Sequence, residues 1–575
     1  MKPGETLIKE TISSGWHPAK LLTMFSLWFA TLGNLPLWLE LARLPEMNDW
    51  RAVWFTLSFA VIIAAMLMVV LSLLNWRWVI KPAISLLLLA AAFGGYFMFT
   101  YGVVIDSTMM TNALQTDLRE TRDLLSWKML GVVLVFAILP MIWLWKTIIT
   151  FKPFWKQLKQ NILLFAASAA LAVAAIIPSY QDLASTMRNH MQLRFMVNPL
   201  NSFYALSQLA FQPLRTESNT LQELGRDAKL STIYERQTES PLLILVVGET
   251  ARSGNFGING YEHNTTPSLA QLKKNTDQRG ELTSFRNVWS CGTSTATALP
   301  CMFSHLSKSE FEDSTQSIEN LVDVLHHAGL AVLWLENQSG CKGICDRVPN
   351  AITRNLSNPK LCTSGECFDE IMLSQLSERM AALPVDRLHR GIVVIMHQMG
   401  SHGPAYFKRS PEAIKQFKPE CATNILQDCT RAEVTNAYNN TILYTDHFLG
   451  KVVDYLKSIQ PQAQTAMLYV ADHGESLGEK NIYLHGLPYA IAPDVQKRIP
   501  WIQWMSNEFM ARKHIKPGCL ENQIQTRLSH DNYFHSILGL MKVQTSAYKP
   551  EFDVYSILHE VNSAILVRKL GVFTT

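Results

Sequence analysis

Cysteine is missing from everything before Cys291, although nine cysteines occur in the 575-residue chain. None of the nine forms a C-x-x-C pair, so the ligand spacing of a structural zinc cluster is absent. Charge is scarce as well: 17% of residues are charged, the net charge is +4, and no long Lys/Arg run occurs, which disfavours nucleic acid as a partner. The first apolar run has no small-residue cleavage pattern after it and is too long for a signal-peptide core.

In place of charge the first third carries long apolar runs. We expect five membrane spans: Leu21 to Leu41, kinked around Gly33, Asn34 and Pro36; Ala52 to Leu74; Pro82 to Ile105; Met129 to Trp145; and Asn161 to Ile177, which Pro178 ends. Lys2, Lys9, Lys20, Arg77, Lys81, Lys146, Lys152, Lys156 and Lys159 all fall on one side of these spans. The opposite loops, with Arg43, Glu46, Asp49 and Arg51, then Asp106, Asp117, Arg119, Glu120, Arg122 and Asp123, have no positive excess. The positive-inside rule therefore puts the N-terminus in the cytoplasm, and an odd number of spans puts everything after Tyr180 outside it.

The cysteines agree with that topology. Their close spacing suits disulfides made in an oxidising compartment, paired most simply as Cys291 with Cys301, Cys341 with Cys345, Cys362 with Cys367, and Cys421 with Cys429, with Cys519 left over. Domain limits follow from composition: a membrane domain over 1–180, a linker over 181–239, and an extracytoplasmic domain over 240–575. The linker mixes Met187, Met191, Phe195, Met196, Phe203, Tyr204, Leu206 and Leu209 with polar residues, which fits either interfacial helices or a segment packed on the soluble domain.

Beyond Pro241 the pattern becomes α/β. The apolar runs Leu242 to Val247, Ala331 to Leu335, Ile392 to Met396 and Ala466 to Val470 each end at polar residues and alternate with helical segments, as in a doubly covered, mainly parallel sheet. Ligands bind beyond the carboxyl ends of such strands. Glu249 and Asp472-His473 sit there, a carboxylate, carboxylate and imidazole set suited to zinc. The hydroxyl-rich stretch Ser290 to Cys301 offers Thr293 or Thr295 as a metal-activated nucleophile. It contains no C-x-P-x-R element of the kind that sulfatases convert to formylglycine. His397, His402 and His485, in Gly-rich loops, could serve a second metal or a phosphate. His530 receives no catalytic role, although its pairing with Asp531 is noteworthy.

Glu249-Thr250-Ala251-Arg252, Cys291-Gly292-Thr293-Ser294-Thr295, His397-Gln398-Met399-Gly400 through Pro404, Asp472-His473-Gly474-Glu475-Ser476 and Leu484-His485-Gly486 stand in an order that resembles the lipid A phosphoethanolamine transferases. That family, within the sulfatase and alkaline-phosphatase-like superfamily, includes the mobile colistin-resistance enzymes. The resemblance implies a five-helix membrane domain joined to an α/β/α alkaline-phosphatase-like periplasmic domain in the bacterial inner membrane. It implies Thr295 as the nucleophile, with Glu249, Thr295, Asp472 and His473 around one zinc ion. His402, His485 and His397 correspond to a second zinc or the acceptor phosphate, and Asn112, Thr116, Glu120, Ser339 and Lys342 to the donor-lipid pocket. The implied reaction moves phosphoethanolamine from phosphatidylethanolamine to a lipid A phosphate through a phosphothreonine, by a monomer, and confers resistance to polymyxin and colistin. The chain departs from some relatives in the cysteines that flank Lys342.

The nearest rival is a superfamily transferase with another envelope acceptor, a lipopolysaccharide core sugar or a glycerol-phosphate polymer. A hydrolase would not need five spans. A membrane-anchored binding protein whose chemistry has decayed would not be expected to keep Glu249, Thr295, Asp472 and His473 together.

Overall fold

The computed structural model describes residues 15–45, 47, 50–116, 118–211, 221–235, 240–274, 279–363, 366–459 and 463–556. Lys2, Lys9, Glu46, Asp49 and Asp117 of the orientation argument lie outside them. The chain divides into two compact units, one of Met1–Asp106 and Leu125–Ser207, the other of Ser107–Leu124 and Gln208–Thr575.

The first unit holds five apolar helical spans: Pro18–Ala42, Trp50–Leu73, Ile80–Tyr101, Trp127–Lys146 and Phe154–Asn189. The first is broken by a 3-10 turn at Leu32–Asn34. Backbone groups freed there need partners in an apolar setting, and Asn34 and Asn198 supply them. Asn34 accepts from the Asn198 amide at 2.8 Å, while Asn198 Nδ2 donates to the carbonyls of Gly33 at 3.0 Å and Ala91 at 2.8 Å.

Two expected boundaries move. The third span stops at Tyr101 rather than Ile105, because Gly102 takes the left-handed conformation (φ +66°) that caps a helix C-terminus. The fifth does not stop at Pro178, which lies inside the helix Phe154–Asn189. Proline removes one N–H but membrane helices tolerate it when side chains serve the freed carbonyls. The next residue, Ser179, supports the backbone one position on, donating from Oγ to Ala175 O at 2.6 Å. After Asn189 come a 3-10 turn at Met191–Met196 and a helix at Leu200–Phe211, with Leu193 and Met196 buried.

The second unit is built on one eight-stranded sheet. Its strands are β1 (Leu242–Gly248), β2 (Gly280–Trp289), β3 (Ala331–Glu336), β4 (Asn350–Ile352), β5 (Ile392–His397), β6 (Thr465–Ala471), β7 (Arg498–Ser506) and β8 (Leu528–Ser529). Their order is β8-β2-β7-β6-β1-β5-β3-β4, and β7 alone runs antiparallel to its neighbours. Every residue of β1, β3 and β6 is buried, as continuous apolar runs covered on both faces require. The helices that matter below are α1 (Ser107–Gln115), α2 (Leu118–Leu124), α3 (Thr295–Met302) and α4 (Arg431–Ser458). A capping box between Thr430 and Glu433 starts α4, whose buried face includes Tyr438, Asn439, Asn440 and Tyr444. Parallel pairing of β1 with β5 and β6, in register from Leu242 with Ile392 and Thr465, brings Glu249, His397 and Asp472 to one edge of the sheet.

Candidate active site

Glu249 leaves β1 and Asp472 leaves β6, and the two turns are stitched together by backbone bonds. Asp472 N donates to Gly248 O at 2.9 Å, and Thr250 N donates to Asp472 Oδ1 at 3.0 Å. Glu249, Asp472 and His473 are fully buried, and one ligand atom from each lies within 4.8 Å of the others. His473 Nδ1 donates to Gly474 O at 2.9 Å, which leaves Nε2 as a lone-pair donor 3.2 Å from Asp472 Oδ2 and 3.7 Å from Glu249 Oε1.

The hydroxyl-rich loop completes the cluster. Thr295 opens α3, and its Oγ1 lies 3.1 Å from each carboxylate oxygen of Glu249 and 3.3 Å from His473 Nε2. The Thr293 hydroxyl is turned away and donates to Leu487 O at 2.6 Å. Spacing alone left the two threonines equal; their hydrogen bonds separate them. Cys291 and Cys301 are joined, as are Cys341 and Cys345, Cys362 and Cys367, and Cys421 and Cys429. Cys519 is a free thiol.

Behind the cluster stands a chain of carboxylates and imidazoles. His397 Nδ1 bonds Glu336 Oε2 at 3.0 Å, and its Nε2 approaches Glu249 Oε2 at 3.8 Å. Burial alone would make the His397 imidazolium unfavourable, but Glu336 and Glu249 outweigh it and hold His397 up to about 10. Glu249 is pushed above the usual carboxylate range by burial and then by Asp472. Asp369 shapes the loop after β5, accepting from Met399 N at 2.8 Å and Gly400 N at 3.1 Å. Gly400 has φ +51°, and a Cβ there would meet Glu249 O at 2.7 Å, so that position admits only glycine without rearrangement.

His402 and His485 lie beside the cluster. Their ring centroids are 5.8 Å apart, and His485 lies 4.3 Å from His473. Burial pushes His402 well below the usual imidazole range and His485 down to about 4. His402 Nε2 is 3.7 Å from Glu120 Oε1 on α2, and Gln338 Nε2 donates to the same oxygen at 3.2 Å. Ser339 Oγ then donates to Gln338 Oε1 at 2.7 Å, and Lys342 Nζ to Ser339 Oγ at 3.3 Å. Asn112 on α1 packs against Gly486, whose added Cβ would lie 3.3 Å from Asn112 Nδ2. Thr116 Oγ1 instead donates to Asn112 O at 2.7 Å, within its own helix segment.

Sequence reasoning passed over several members. Gln338 links Glu120 to Ser339, although a glutamine at a strand end gives no signal by itself. Asp369 was unsignalled too, since it stands in no distinctive motif, while Glu336 was marked only as a strand-end residue with no role. Arg409, with its side chain 2% exposed, donates to His402 O at 2.9 Å, Asp123 Oδ2 at 2.8 Å and Glu366 Oε2 at 2.5 Å. His530 has its Nε2 donating to Ala471 O at 2.9 Å and its Nδ1 accepting from Cys291 N at 3.2 Å, which ties the end of β6 to the hydroxyl loop.

Family models match both units, one described as Phosphoethanolamine transferase EptA/EptB over residues 63–213 and one described as Sulfatase over residues 241–543. Phosphoethanolamine transferase EptA of Escherichia coli (strain K12) is 36% identical over 539 residues, covering 92% of this chain and 95% of that protein. The chain belongs to the EptA family of phosphoethanolamine transferases. Phosphatidylethanolamine transferase Mcr-1 of Escherichia coli is 34% identical and covers 92% of this chain and 96% of that protein. The solved structure of the integral membrane lipooligosaccharide phosphoethanolamine transferase A (EptA) from Neisseria meningitidis matches with a TM-score of 0.87 at 33% identity, covering 94% of this chain and 98% of that one. This member of the EptA family is a phosphoethanolamine transferase, a multi-pass inner-membrane protein with five apolar helices and a periplasmic α/β domain. The expected family, enzyme class and fold class hold.

Proposed function

We propose that this enzyme transfers phosphoethanolamine from phosphatidylethanolamine to a phosphate of lipid A, with Thr295 carrying the group covalently. The observation that carries the reading is the Thr295 hydroxyl, held at the start of α3 between both oxygens of Glu249 and Nε2 of His473.

The residues present fit a divalent metal. Two carboxylates and an imidazole with none of their surface exposed lie together, and Asp472 Oδ2 is buried with no hydrogen-bond partner among the described residues. Burying two adjacent carboxylates without a counter-charge is costly. Glu249, Thr295, Asp472 and His473 would hold the ion, and their mixed oxygen and nitrogen donors suit zinc. Bound zinc would acidify the threonine hydroxyl and stabilise charge developing on the phosphoryl oxygens.

In the first step Thr295 Oγ forms a bond to the donor phosphorus and the phosphorus–oxygen bond to diacylglycerol breaks. The threonine proton lies on the hydrogen bond to Glu249 and passes from that carboxylate to the departing diacylglycerol oxygen. In the second step an oxygen of a singly protonated lipid A phosphate bonds the phosphorus, the Thr295 ester breaks, and the acceptor's proton passes through Glu249 to the threonine oxygen. His402 and His485, kept neutral by burial, can hydrogen-bond phosphate oxygens. Glu120 offers a carboxylate to the ethanolamine ammonium, and Lys342 and Ser339 offer donors to the donor phosphate, with Asn112 and Thr116 on the adjoining wall. A positively tipped product lowers the negative charge of the outer surface and so weakens cationic peptide binding, the basis proposed for polymyxin and colistin resistance.

The test is mass spectrometry of lipid A from cells expressing wild type or Thr295→Ala. We expect the phosphoethanolamine adduct with wild type and its loss in the variant. A variant that still modifies lipid A overturns the nucleophile, and an adduct found on a core sugar alone overturns the acceptor.

A further inference from the structure

Resting on the lipid A reading given above, we propose that the cavity beside the cluster is a second anion subsite, which holds another phosphate or carboxylate of the same acceptor while one phosphate reacts at Thr295. The cavity has a volume of about 610 Å³ and is lined by Arg252, Arg286 and Arg498 together with Asn259 and Tyr261. It borders the catalytic edge on two sides. Arg252 follows Glu249 by three residues and donates from Nη1 to Glu475 O at 3.3 Å. Val495, in the same wall, accepts from Glu475 N at 3.0 Å. On the other side Arg498 pairs with Trp289 across β7 and β2, and Ser290 N, where the hydroxyl loop starts, donates to Lys497 O at 2.8 Å.

The guanidinium groups are aligned but incompletely used. Arg252, its side chain 14% exposed, is fixed by Glu479 at 2.8 Å, yet its Nε is buried with no hydrogen-bond partner among the described residues. Arg286 reaches Ile258 O only at 3.4 Å, and its Nε is likewise buried without a partner. Arg498 donates to Arg286 O at 3.0 Å, which holds the two strands' arginines side by side. A planar guanidinium is matched by phosphate or carboxylate oxygens, and three of them line this cavity. The acidic residues of the lining do not neutralise them. The side chain of Glu262 is 82% exposed, and that of Asp494 is 68% exposed and paired with Lys497 at 3.4 Å.

The spacing selects an acceptor with two anionic groups. Arg286 precedes Ser290 by four residues, so the Arg286 end of the cavity lies on the order of 13 Å from the hydroxyl loop at strand rise. A single lipid phosphate cannot occupy both places, whereas a head group with charges at both ends can.

The full-length enzyme in detergent micelles, with phosphatidylethanolamine as donor, tests this against lipid A carrying two phosphates and lipid A carrying one. We expect wild type to favour the doubly phosphorylated acceptor in kcat/KM. Arg286→Gln should shrink that preference about tenfold, mainly through KM, the loss of roughly one charge-assisted hydrogen bond. Arg286→Lys, which keeps the charge, should retain more of the preference. Equal loss with both acceptors, or an unchanged ratio in both variants, overturns the subsite and leaves the arginines a structural role. Wild-type transfer to neither acceptor, with diacylglycerol still released from the donor, overturns the lipid A reading and the subsite with it.

Discussion

Replacing His530 with phenylalanine keeps a ring in the same buried slot and removes both bonds that join β6 to the hydroxyl loop. The Cys291 N–H and the Ala471 carbonyl would then be buried without those partners. At about 1–3 kcal/mol for each unsatisfied group, the variant should lose roughly 2–6 kcal/mol. For a domain of roughly 330 residues, that corresponds to about 3–8 °C in Tm. His530→Asn can restore the acceptor toward Cys291 and should fall between wild type and the phenylalanine variant.

A pH series supplies an independent readout. Burial holds the His530 imidazole down to about 4, below its ordinary 6.5. Between those values the unfolded chain takes up a proton that the folded chain refuses, so this residue costs stability as pH falls from 6.5 toward 4. The cost is about 3 kcal/mol by pH 4, and His530→Phe should lack it. Thermal unfolding of the full-length protein in detergent at pH 7.5 and 4.5 measures both effects. If the phenylalanine variant unfolds within a degree of wild type at pH 7.5, or loses as much stability as wild type on acidification, the bridge has no energetic role.

Gly400→Ala places a Cβ 2.7 Å from Glu249 O at φ +51°, and the loop must shift; we expect a loss of about 2 kcal/mol or more in unfolding stability and a large fall in transfer rate. Arg409→Gln leaves Asp123 to Lys408 alone and Glu366 without its guanidinium, which should cost about 1–3 kcal/mol in thermal unfolding. Asp472→Asn halves the carboxylate pair, and purified variant protein should hold less zinc than wild type by elemental analysis. Retention of a full equivalent would remove Asp472 from the ligand set.

Much of this architecture was legible because it rests on strong local signals. Apolar runs of membrane length, the Lys/Arg bias and continuous buried strands each follow from burial in a uniform environment, and the carboxyl-edge rule then pointed to Glu249, Asp472 and His473. Helix ends were less legible. Pro178 reads as a stop in isolation, but Ser179 serves the backbone beside it and the helix continues to Asn189. Long-range partners were hidden: the segment Ser107–Leu124 clusters with the α/β unit although it lies between two apolar spans, and nothing in its composition says so. Spacing likewise left Thr293 and Thr295 level, and only the family resemblance favoured Thr295; that the Thr293 hydroxyl bonds Leu487 O, distant in the chain, has no side-chain signal.

Charge balance explains why so many buried ionisable groups coexist in one crevice. Glu336 is held below the usual carboxylate range, with its partner His397 held up to about 10, so that pair is formally neutral and can sit under the sheet edge without outside compensation. His530, His402 and His485 are kept neutral by burial and add no charge. Asp369 is satisfied by backbone N–H groups and Glu475 is held up to about 8 by burial. Glu249 and Asp472 remain as adjacent buried carboxylates, with His397 Nε2 approaching Glu249 at 3.8 Å. A dication bound there would supply the charge that Glu249 and Asp472 lack, at the point where Thr295 is held. The Glu336–His397 pair therefore does more than fill the core. By bonding to Glu336, His397 turns Nε2 toward Glu249 Oε2 while the Thr295 hydroxyl meets the same carboxylate, so Glu249 is held between them.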